Sequence, residues 1–294
     1  MPELPEVETV RAGLARLLPG REVQAVDSDW PKSFPNAAQD VKQFLLGAKI
    51  LAVKRRAKVL LIELSSDYSL IIHLKMTGQL VFRSPSERFG AGHPSESLIG
   101  ELPDKSTRVT LGFTDGSRLF FNDQRKFGWV RLIPTPEVVN LDFFRKVGPE
   151  PLAADFTWQQ LRERLLRRKN TNIKAALLDQ TVVAGIGNIY ADESLWGAKI
   201  HPVTLVKDLS EEQFHVLYEE LVFVLELAIE KGGSTDKNYV NAEGKKGSYM
   251  SFARVFRREG QPCPRCGSII EKSRVAGRGT HTCPTCQKPT SRTL

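Results

Sequence analysis

The sequence predicts an α+β protein whose first part is rich in strands and whose later part is mostly helical. Three observations support this fold class. Between about residues 22 and 133, short apolar or alternating segments are separated by turn residues, which is typical of strands. After about residue 157, apolar residues recur at helical spacing. All four cysteines lie between residues 263 and 286, in two closely spaced pairs near the end of the chain.

The first residues, MPELPEVETV, combine a helix start with two residues that lie in front of it. Pro5 is a suitable first helical residue, and Glu6 and Glu8 lie where the positive end of a helix favours acids. This leaves Pro2 and Glu3 projecting from the helix start. On these residues alone, a short proline-rich tail without a function is the simpler interpretation. The helix itself is indicated by apolar residues at helical spacing, namely Val7, Val10, Leu14 and Leu17.

The strand-rich part contains four segments in which apolar residues alternate or run together. They are KILAVKRRAKVLLIEL, YSLIIHLKMTGQLVF, RVTLGFTDGSRLFFND and FGWVRLI. Asp115 and Gly116 form a strong hairpin signal between two such runs. Residues 84–105 are rich in Ser, Pro and Gly, so we expect a long surface loop there. The segment PTPEVVNLDFFRKVGPEPLAAD then predicts a linker.

The helical part is predicted to contain helices at Trp158–Arg168, Ile173–Asp179, Ile189–Trp196 and Ser210–Lys231. Its most informative segment is LLDQTVVAGIGNIYADESLW, where a turn with Gly185 and Gly187 leads to a helix opened by Asn188. Glycines allow a phosphate to approach the backbone, and a helix N-terminus offers free N–H groups. A helix-turn-helix packed purely as core is the alternative. Basic residues nearby favour DNA, namely Arg167, Arg168, Lys169 and Lys174.

The charge distribution points to a polyanionic partner. The chain carries a net charge of +8 and has a pI near 9.3. Residues 251–294 contain nine Lys and Arg residues against two acids, which places a charge of +7 in this tail alone. A second basic cluster, RERLLRRKN, covers residues 162–170. Nucleic acid is therefore the first partner to test.

The four cysteines have the spacing of a zinc site. Cys263 and Cys266 in CPRC are separated from Cys283 and Cys286 in CPTC by sixteen residues. Each pair predicts a tight knuckle that presents two thiolates to one tetrahedral ion. Two disulfides are the alternative, which the absence of a secretion signal disfavours. We expect one structural Zn²⁺ and no organic cofactor.

The residues between the two cysteine pairs, SIIEKSRVAGRGTHT, predict two short strands joined by a turn at Gly277, Arg278 and Gly279. Arg278 would then lie at the tip of a rigid hairpin, where its guanidinium group could hold a phosphate.

Global composition limits the remaining options. With 294 residues the chain is long enough for two domains with separate cores. Hydrophobic residues make up 41% of the sequence, and the mean hydropathy is −0.26. No run of about 18 apolar residues predicts a membrane span, and no basic segment precedes an apolar one as in a secretory signal. We therefore expect a cytoplasmic protein without a membrane partner, and a monomer.

Four motifs together resemble the bacterial formamidopyrimidine-DNA glycosylases, a family of 8-oxoguanine DNA glycosylases and AP lyases. They are PELPEVE, GIGNIYADE, GGSTDKNYVNAEGKKGSY and the terminal hairpin with AGRGTHTCPTCQ, and they cover nearly the whole chain in order. The resemblance implies a β-sandwich domain with a catalytic N-terminal helix, a helix-two-turn-helix domain and a zinc-finger hairpin. It also implies binding of damaged double-stranded DNA between the halves, removal of oxidised purines and cleavage of the strand.

On this basis we expect four regions along the chain. Residues 1–135 form the catalytic β-sandwich domain, and residues 136–152 form a linker. Residues 153–250 form the helix-two-turn-helix domain, with a lesion-capping loop at about residues 232–249. Residues 251–294 form the zinc finger.

The resemblance gives the N-terminal segment a chemical purpose. Once Met1 is removed, Pro2 carries a terminal secondary amine, and an α-amino group titrates near ~8 whereas a lysine needs about 10.4. Attack of this amine on C1′ would expel the base and leave an iminium, which serves as an electron sink for β- and δ-elimination. Glu3 would act as acid and base, and Glu6 resembles the acidic residue that orients the N-terminus. Lys58 in RRAKVL matches the catalytic phosphate-binding lysine, although Ala57 precedes it where glycine is common.

The remaining expected site residues contact DNA. Met76, Arg125 and Phe127 fit the three residues that fill the gap left by the flipped base, with Lys126 where arginine is often found. Periodicity alone would place Met76 and Phe127 in the core. Phosphates would be held by Lys58, His73, Asn188 and Arg278, and Lys174 and Tyr239 complete the DNA-binding set. On the residues alone, a solvated strand lysine is the simpler interpretation of Lys58, and a strand histidine with satisfied hydrogen bonds is the alternative for His73.

Two alternatives of function remain. A non-enzymatic zinc-ribbon protein that binds nucleic acid would share the basic tail, but it would have no need of a terminal amine beside a carboxylate. A related glycosylase that acts on oxidised pyrimidines would share the fold and the zinc finger. That branch usually opens with PEGPE, whereas this chain opens with PELPE.

Overall fold

The computed structural model describes residues 1–234 and 249–289. The chain forms two compact units. The first contains Met1–Arg145 and the segment that returns at Ile229, and the second contains Lys146–Ala228 and the segment that begins at Tyr249. Each unit has its own hydrophobic core.

The first helix, α1 (Leu4–Leu17), begins one residue before the predicted start, and Pro5 lies in its first turn. Glu3 is the residue before the helix, and its backbone N–H donates a hydrogen bond to Glu6 Oε2 at 2.8 Å. This bond satisfies one of the donors that a helix start leaves without a partner. The buried face of α1 packs on the sheets through Val7, Val10, Leu14 and Leu17.

Nine strands of the first unit form two antiparallel sheets. One sheet has the order β1-β7-β8-β5-β6 and the other β2-β3-β4-β9. Apolar residues of both sheets belong to one buried cluster, so the sheets pack face to face as a β-sandwich and confirm that prediction. The strands are β1 (Val23–Ser28), β2 (Ile50–Arg56), β3 (Val59–Leu64), β4 (Tyr68–His73), β5 (Gly78–Arg83), β6 (Arg88–Gly92), β7 (Thr107–Phe113), β8 (Arg118–Asp123) and β9 (Trp129–Pro134).

Residues 84–105 are not a long loop, and that prediction was wrong. They contain β6, which pairs with β5, and a 3-10 turn at Glu96–Leu98. Phe89 is only 4% exposed and belongs to the sandwich core. Gly92 has φ +122°, and a Cβ there would lie 2.5 Å from the Gly78 carbonyl oxygen. Glycines in this segment resemble a loop signal, but Gly92 is needed because its backbone lies close to that of Gly78 in the neighbouring strand.

Short helical segments connect these strands and lead to the second unit. They are α2 (Ala38–Asp40), which continues into a π-helical turn at Val41–Leu45, a 3-10 helix at Thr135–Asn140 and α3 (Asp142–Lys146). The last two lie in the segment predicted as a linker.

The second unit contains the predicted helices, each within two residues of its expected bounds. Thr157 and Gln160 form a reciprocal cap at the start of the first of them, and Asn172 Oδ1 accepts from Ala175 N at 2.8 Å at the start of the next. The helices are α4 (Trp158–Leu166), α5 (Ile173–Leu178), α6 (Asn188–Gly197) and α7 (Glu211–Glu230), with 3-10 turns at Val206–Asp208 and Tyr249–Ser251.

The cysteine-containing end forms the predicted hairpin, with β10 (Glu271–Val275) and β11 (Arg278–Thr282). Its turn lies one residue earlier than expected. Ala276 and Gly277 have φ of +50° and +73°, as a two-residue hairpin turn requires. Arg278 therefore opens β11 and pairs with Val275. Among residues 1–234 and 249–289, no helix is long and apolar enough to cross a membrane.

Candidate functional site

The start of α1 holds three of the four predicted catalytic residues, Pro2, Glu3 and Glu6. Pro2 is buried, and Glu3 and Glu6 are 3% and 6% exposed. Glu6 uses both oxygens: Oε2 accepts from Glu3 N at 2.8 Å, and Oε1 accepts from Ser234 N at 2.7 Å. Gly233, with φ +87°, allows this contact, because a Cβ there would lie 3.1 Å from the Glu6 side chain. Glu6 thus holds the N-terminus against the segment that returns to this unit.

Lys58 and His73 lie side by side at one end of the second sheet. Lys58 is 7% exposed in the turn between β2 and β3, next to Val59, which pairs with His73. Burial above all, then the charges of Lys75 and Lys58, lowers the pKa of His73 to about 3. His73 Nδ1 accepts from Lys75 N at 3.0 Å, which leaves Nε2 to carry the proton of the neutral ring. His73 therefore offers a neutral N–H donor beside a lysine.

Ala57 explains why glycine is common before this lysine. Its φ is +53°, a left-handed conformation that costs a residue with a Cβ roughly 1 kcal/mol. Alanine is fully buried there and still adopts the turn. Alanine in place of glycine therefore raises the conformational cost of this turn.

The loop between β8 and β9 exposes the predicted wedge residues. Arg125, Lys126 and Phe127 are exposed, and the Arg125 guanidinium lies 4.8 Å from the centre of the Phe127 ring. Phe127 is 54% exposed, so the alternative that it is a core residue is wrong. Lys126 Nζ lies 4.2 Å from the centre of the Trp30 ring, so a cation–π interaction stabilises the lysine charge within this unit. Met76, in the turn before β5, is half-buried.

In the second unit, Asn188 and Arg278 lie near the hairpin turn, but Lys174 does not face solvent. Asn188 Nδ2 donates to the Gly279 carbonyl at 2.9 Å, and Arg278 is exposed beside it. Lys174 is fully buried, and its Nζ donates to Asp192 Oδ1 at 2.6 Å, Thr280 Oγ1 at 2.7 Å and the Gly279 carbonyl at 3.1 Å. The prediction that Lys174 contacts DNA is therefore corrected. Its ammonium group is enclosed and anchors β11.

Sequence reasoning missed two consecutive acids, Asp192 and Glu193, that are both fully buried in α6. Asp192 Oδ2 accepts from His281 N at 3.0 Å in β11. Glu193 accepts from the backbone N–H groups of Arg254, Val255 and Phe256 at 2.8–3.1 Å. Together they attach the chain around the hairpin to α6. Two adjacent acids within the apolar segment NIYADESLW were the signal that could have identified them, because such acids are rarely buried without a partner.

The four cysteines form a site for one structural zinc ion. Their Sγ atoms all lie within 4.8 Å of one another, and two pairs lie at 3.4 and 3.9 Å. Tetrahedral Zn–S bonds place sulfurs about 3.8 Å apart, so the four thiolates fit the ion. Hydrogen bonds from Ser268 lower the pKa of Cys266 to about 6, which favours the thiolate that zinc binds. Cys283 N donates to Gln287 Oε1 at 3.0 Å, which fixes the second knuckle.

Tyr239 and most of the predicted lesion-capping loop lie outside the described residues. Only residues 232–234 and Tyr249 of that loop are described.

Comparison with known proteins gives the same three parts. The model of the formamidopyrimidine-DNA glycosylase N-terminal domain matches residues 1–130, the H2TH domain of the same proteins matches residues 147–239, and a zinc finger found in FPG and IleRS matches residues 260–289. The formamidopyrimidine-DNA glycosylases of Chloroflexus aurantiacus and Pediococcus pentosaceus are 45% and 42% identical over 98% of this chain and 98% and 99% of theirs.

Solved structures agree with this assignment. Complexes of Lactococcus lactis Fpg with abasic-site DNA, with N7-benzyl-Fapy-dG DNA and with oxidised-pyrimidine DNA have TM-scores of 0.85, 0.85 and 0.84. They are 37%, 38% and 38% identical to this chain and cover 97–98% of it and 99–100% of their own chain. With family models matched in order to residues 1–130, 147–239 and 260–289, and relatives more than 40% identical over 98% of its length, the chain belongs to the formamidopyrimidine-DNA glycosylase family.

Proposed function

We propose that the protein removes oxidised purines, 8-oxoguanine and formamidopyrimidines, from duplex DNA and then cleaves the strand at the resulting site. The observation that carries this proposal is the start of α1, where Pro2 and Glu3 are buried together and Glu6 bonds both Glu3 and Ser234. A protein that only binds DNA has no use for an amine and a carboxylate held in this way.

In the proposed reaction, the Pro2 amine is the nucleophile. The partial positive charge at the start of α1 disfavours a protonated amine, so more of it is free at neutral pH. The nitrogen lone pair forms a bond to C1′ while the bond from C1′ to the base breaks and the base leaves with that electron pair. Opening of the sugar, with Glu3 moving protons at the ring oxygen, gives an iminium between Pro2 and C1′.

Strand cleavage then uses the iminium as an electron sink. Loss of a proton from C2′ drives out the phosphate at C3′, and a second elimination drives out the phosphate at C5′. Water hydrolyses the iminium and returns the free amine. No external oxidant or reductant is needed.

The other site residues hold the DNA in this proposal. Lys58 supplies a positive charge to a phosphate, and neutral His73 supplies a donor without adding a second charge. Met76, Arg125 and Phe127 fill the gap left by the flipped base, with Arg125 bonding the orphaned cytosine. Asn188 and Arg278 hold further phosphates, and Tyr239 is a further DNA-binding residue. Lys174 anchors the hairpin that carries Arg278.

The test is borohydride trapping with duplexes that differ in the damaged base. We expect covalent complexes with 8-oxoguanine or a formamidopyrimidine opposite cytosine, and none with an undamaged duplex. A second candidate, action on oxidised pyrimidines, is favoured by the complex of the Lactococcus lactis relative with such DNA. If the protein formed a trapped complex with a dihydropyrimidine duplex, and acted on it at a higher single-turnover rate than on an 8-oxoguanine duplex, action on oxidised pyrimidines would replace action on oxidised purines as the proposed function.

We also propose a cytoplasmic location. Cys266 is exposed and belongs to a four-thiol site, and such a site keeps its zinc where thiols stay reduced. Fractionation of cells that produce the protein tests this directly, with the cytoplasmic fraction expected to hold the activity.

A further inference from the structure

One buried carboxylate, that of Asp123, joins the two loops that carry the wedge residues. Asp123 is fully buried at the end of β8. Its Oδ1 accepts from the Thr77 hydroxyl, next to Met76, and from Arg125 N at 3.2 Å. Its Oδ2 accepts from Gly128 N at 2.6 Å, next to Phe127. No residue of the proposed chemistry needs Asp123, yet all three wedge residues are adjacent to its partners or bonded to it.

Both loops contain backbone strain that favours other loop conformations when this carboxylate is absent. Each holds one residue with a Cβ in the left-handed conformation, Lys75 at φ +50° and Lys126 at φ +58°. Such a conformation costs roughly 1 kcal/mol and persists where surrounding bonds determine it. The donors that Asp123 satisfies lie on both loops: Thr77 follows Lys75, and Arg125 and Gly128 lie on either side of Lys126.

Close packing around Gly128 fixes the position of the second loop over the Asp123 carboxylate. A Cβ at Gly128 would lie 2.7 Å from the Phe121 ring, 3.0 Å from the His73 carbonyl oxygen and 3.1 Å from Asp123 Oδ2. The loop therefore passes directly over the carboxylate, with no room for a side chain between them. This close passage sets where Phe127 leaves the surface.

The main chain of Asp123 is held independently of its carboxylate. Its N–H donates to the Ser106 carbonyl at 2.7 Å, and its carbonyl accepts from Arg108 Nε at 3.0 Å. Removing the carboxylate therefore loosens the loops and leaves β8 paired with β5 and β7.

We propose that Asp123 is a positioning residue that couples the loop of Met76 to the loop of Arg125 and Phe127, so that the three side chains enter the duplex as one preformed wedge. This inference rests on the proposed function, because it assumes that these three residues fill the gap at the lesion. Preforming the wedge lowers the entropy lost when it inserts, and a displacement of about 1 Å at such a site costs up to about a hundredfold in rate.

The test compares substrates that need the wedge with one that does not. Asp123→Ala should lower single-turnover excision of 8-oxoguanine from a duplex by about tenfold or more. Borohydride trapping on a single-stranded abasic oligonucleotide should stay within about twofold, because no base has to leave a stack. Preference for cytosine over adenine opposite the lesion should also fall, since Arg125 is no longer held in place.

A matched control lies at the other end of the same strands. Asp115, in the hairpin before β8, also accepts from a nearby N–H and hydroxyl, those of Ser117 at 2.9 and 2.6 Å, but it contacts neither wedge loop. Asp115→Ala should leave both rates and the opposite-base preference unchanged. Thr77→Val removes the hydroxyl that bonds Asp123 Oδ1 and accepts from Arg125 N at 3.1 Å, but it keeps the carboxylate and its bonds to Arg125 and Gly128. It should therefore give a smaller loss that does not add fully to that of Asp123→Ala.

Three results overturn the proposal: full duplex excision by Asp123→Ala, equal losses on the duplex and the single strand, or full additivity with Thr77→Val. If Asp123→Ala does not fold, Thr77→Val alone decides, because it keeps the carboxylate: the proposal then requires a selective loss on the duplex. Failure of the proposed function is recognised separately, since the unaltered protein would then trap no damaged DNA.

Discussion

In the first unit, single buried carboxylates join segments that are distant in the sequence. Glu6 bonds the backbone of Glu3 and that of Ser234, and Asp123 does the same for the two wedge loops. A carboxylate has two oxygens with several acceptor positions, so one buried side chain can satisfy donors from two segments. Charged acceptors also make the stronger hydrogen bonds, which offsets the cost of burial.

The proposed role of Pro2 predicts that blocking its nitrogen abolishes the chemistry. A residue retained in front of Pro2 turns the amine into an amide that has no nucleophilic lone pair. Mass spectrometry of active protein should show loss of Met1. An uncleaved N-terminal tag should abolish borohydride trapping and keep duplex binding, because the proposed phosphate contacts lie elsewhere. Trapping at normal yield by a protein with a verified intact tag would make another amine, such as that of Lys58, the nucleophile.

Arg125 should affect excision and leave stability unchanged. Its side chain is exposed, and its guanidinium lies 4.8 Å from the centre of the exposed Phe127 ring, so Arg125→Ala should change the melting temperature by less than about 2 °C. Excision of 8-oxoguanine opposite cytosine should fall strongly, as measured by single-turnover kinetics. Loss of several degrees with full excision would identify Arg125 as a structural residue.

His73 should make the protein less stable as the pH falls. Its pKa is lowered from 6.5 to about 3 in the folded protein, so between these values the unfolded chain binds more protons than the folded one. The contribution of His73 to the free energy of unfolding is fully present above pH 6.5. It is lost progressively on acidification, by up to about 1.4 kcal/mol per pH unit. Urea unfolding from pH 7 to 4 should show a weaker pH dependence for His73→Gln. Parallel curves for the two proteins would refute this assignment.

At the scale of elements, α6 joins the cysteine hairpin to the helical core. Asp192 and Glu193 point to different partners from consecutive positions: one bonds β11 and Lys174 in α5, and the other bonds three backbone N–H groups before the hairpin. The Arg265 guanidinium also donates to the carbonyls of Trp196 and Gly197 at the end of α6, each at 3.0 Å. The hairpin is therefore held by directional bonds as well as by its small apolar cluster.

The burial of Lys174 predicts a salt dependence that separates anchoring from phosphate contact. Arg278→Ala should reduce the slope of log K against log salt by about 1, since one phosphate contact is lost. Lys174→Met should leave this slope unchanged but destabilise the protein by about 3–5 kcal/mol, because Asp192 loses its buried partner. Fluorescence anisotropy over a salt series and urea unfolding measure the two effects. A reduced slope for Lys174→Met in a protein that still binds one zinc ion and keeps the Arg278 contact, as shown by a further reduction on adding Arg278→Ala, would restore the direct contact of Lys174 with a phosphate.

At the scale of the whole molecule, the positive charge and the zinc site both favour DNA as the partner. The net charge is +8, and each unit contributes exposed arginines from the candidate set, Arg125 in the first and Arg278 in the second. A phosphate contact such as the one proposed for Arg278 supplies affinity that does not depend on the DNA sequence. The zinc site keeps the arginine of the second unit on a folded hairpin.

Removal of the metal should therefore weaken DNA binding in general. Cys263→Ser or Cys283→Ser should release zinc, unfold the hairpin and lower affinity for damaged and undamaged duplexes alike. Metal analysis and binding titrations test this together, with Ser273→Ala, at an exposed position of β10 in the same hairpin, as the control. Retained zinc with unchanged affinity would contradict the prediction.

Local patterns in the sequence determined the helices of the second unit, the hairpin with its zinc ligands, and the unusual N-terminus. Each depends on residues close in the chain: capping pairs such as Thr157 and Gln160, the spacing within each cysteine pair, and a terminal proline beside a glutamate. Such features are set by backbone geometry and short-range bonds, so they can be read without the fold.

Only the tertiary structure decided which charged residues reach solvent and which strands pair. Lys174 looks like its exposed neighbours in the sequence, yet Asp192, Thr280 and the Gly279 carbonyl enclose it from segments up to 106 positions away. Asp123 meets Thr77 across 46 positions, and the glycine-rich β6 forms because β5 lies beside it. A partner distant in sequence leaves no periodic signal, and the free energy of burying a charge depends on that partner being present.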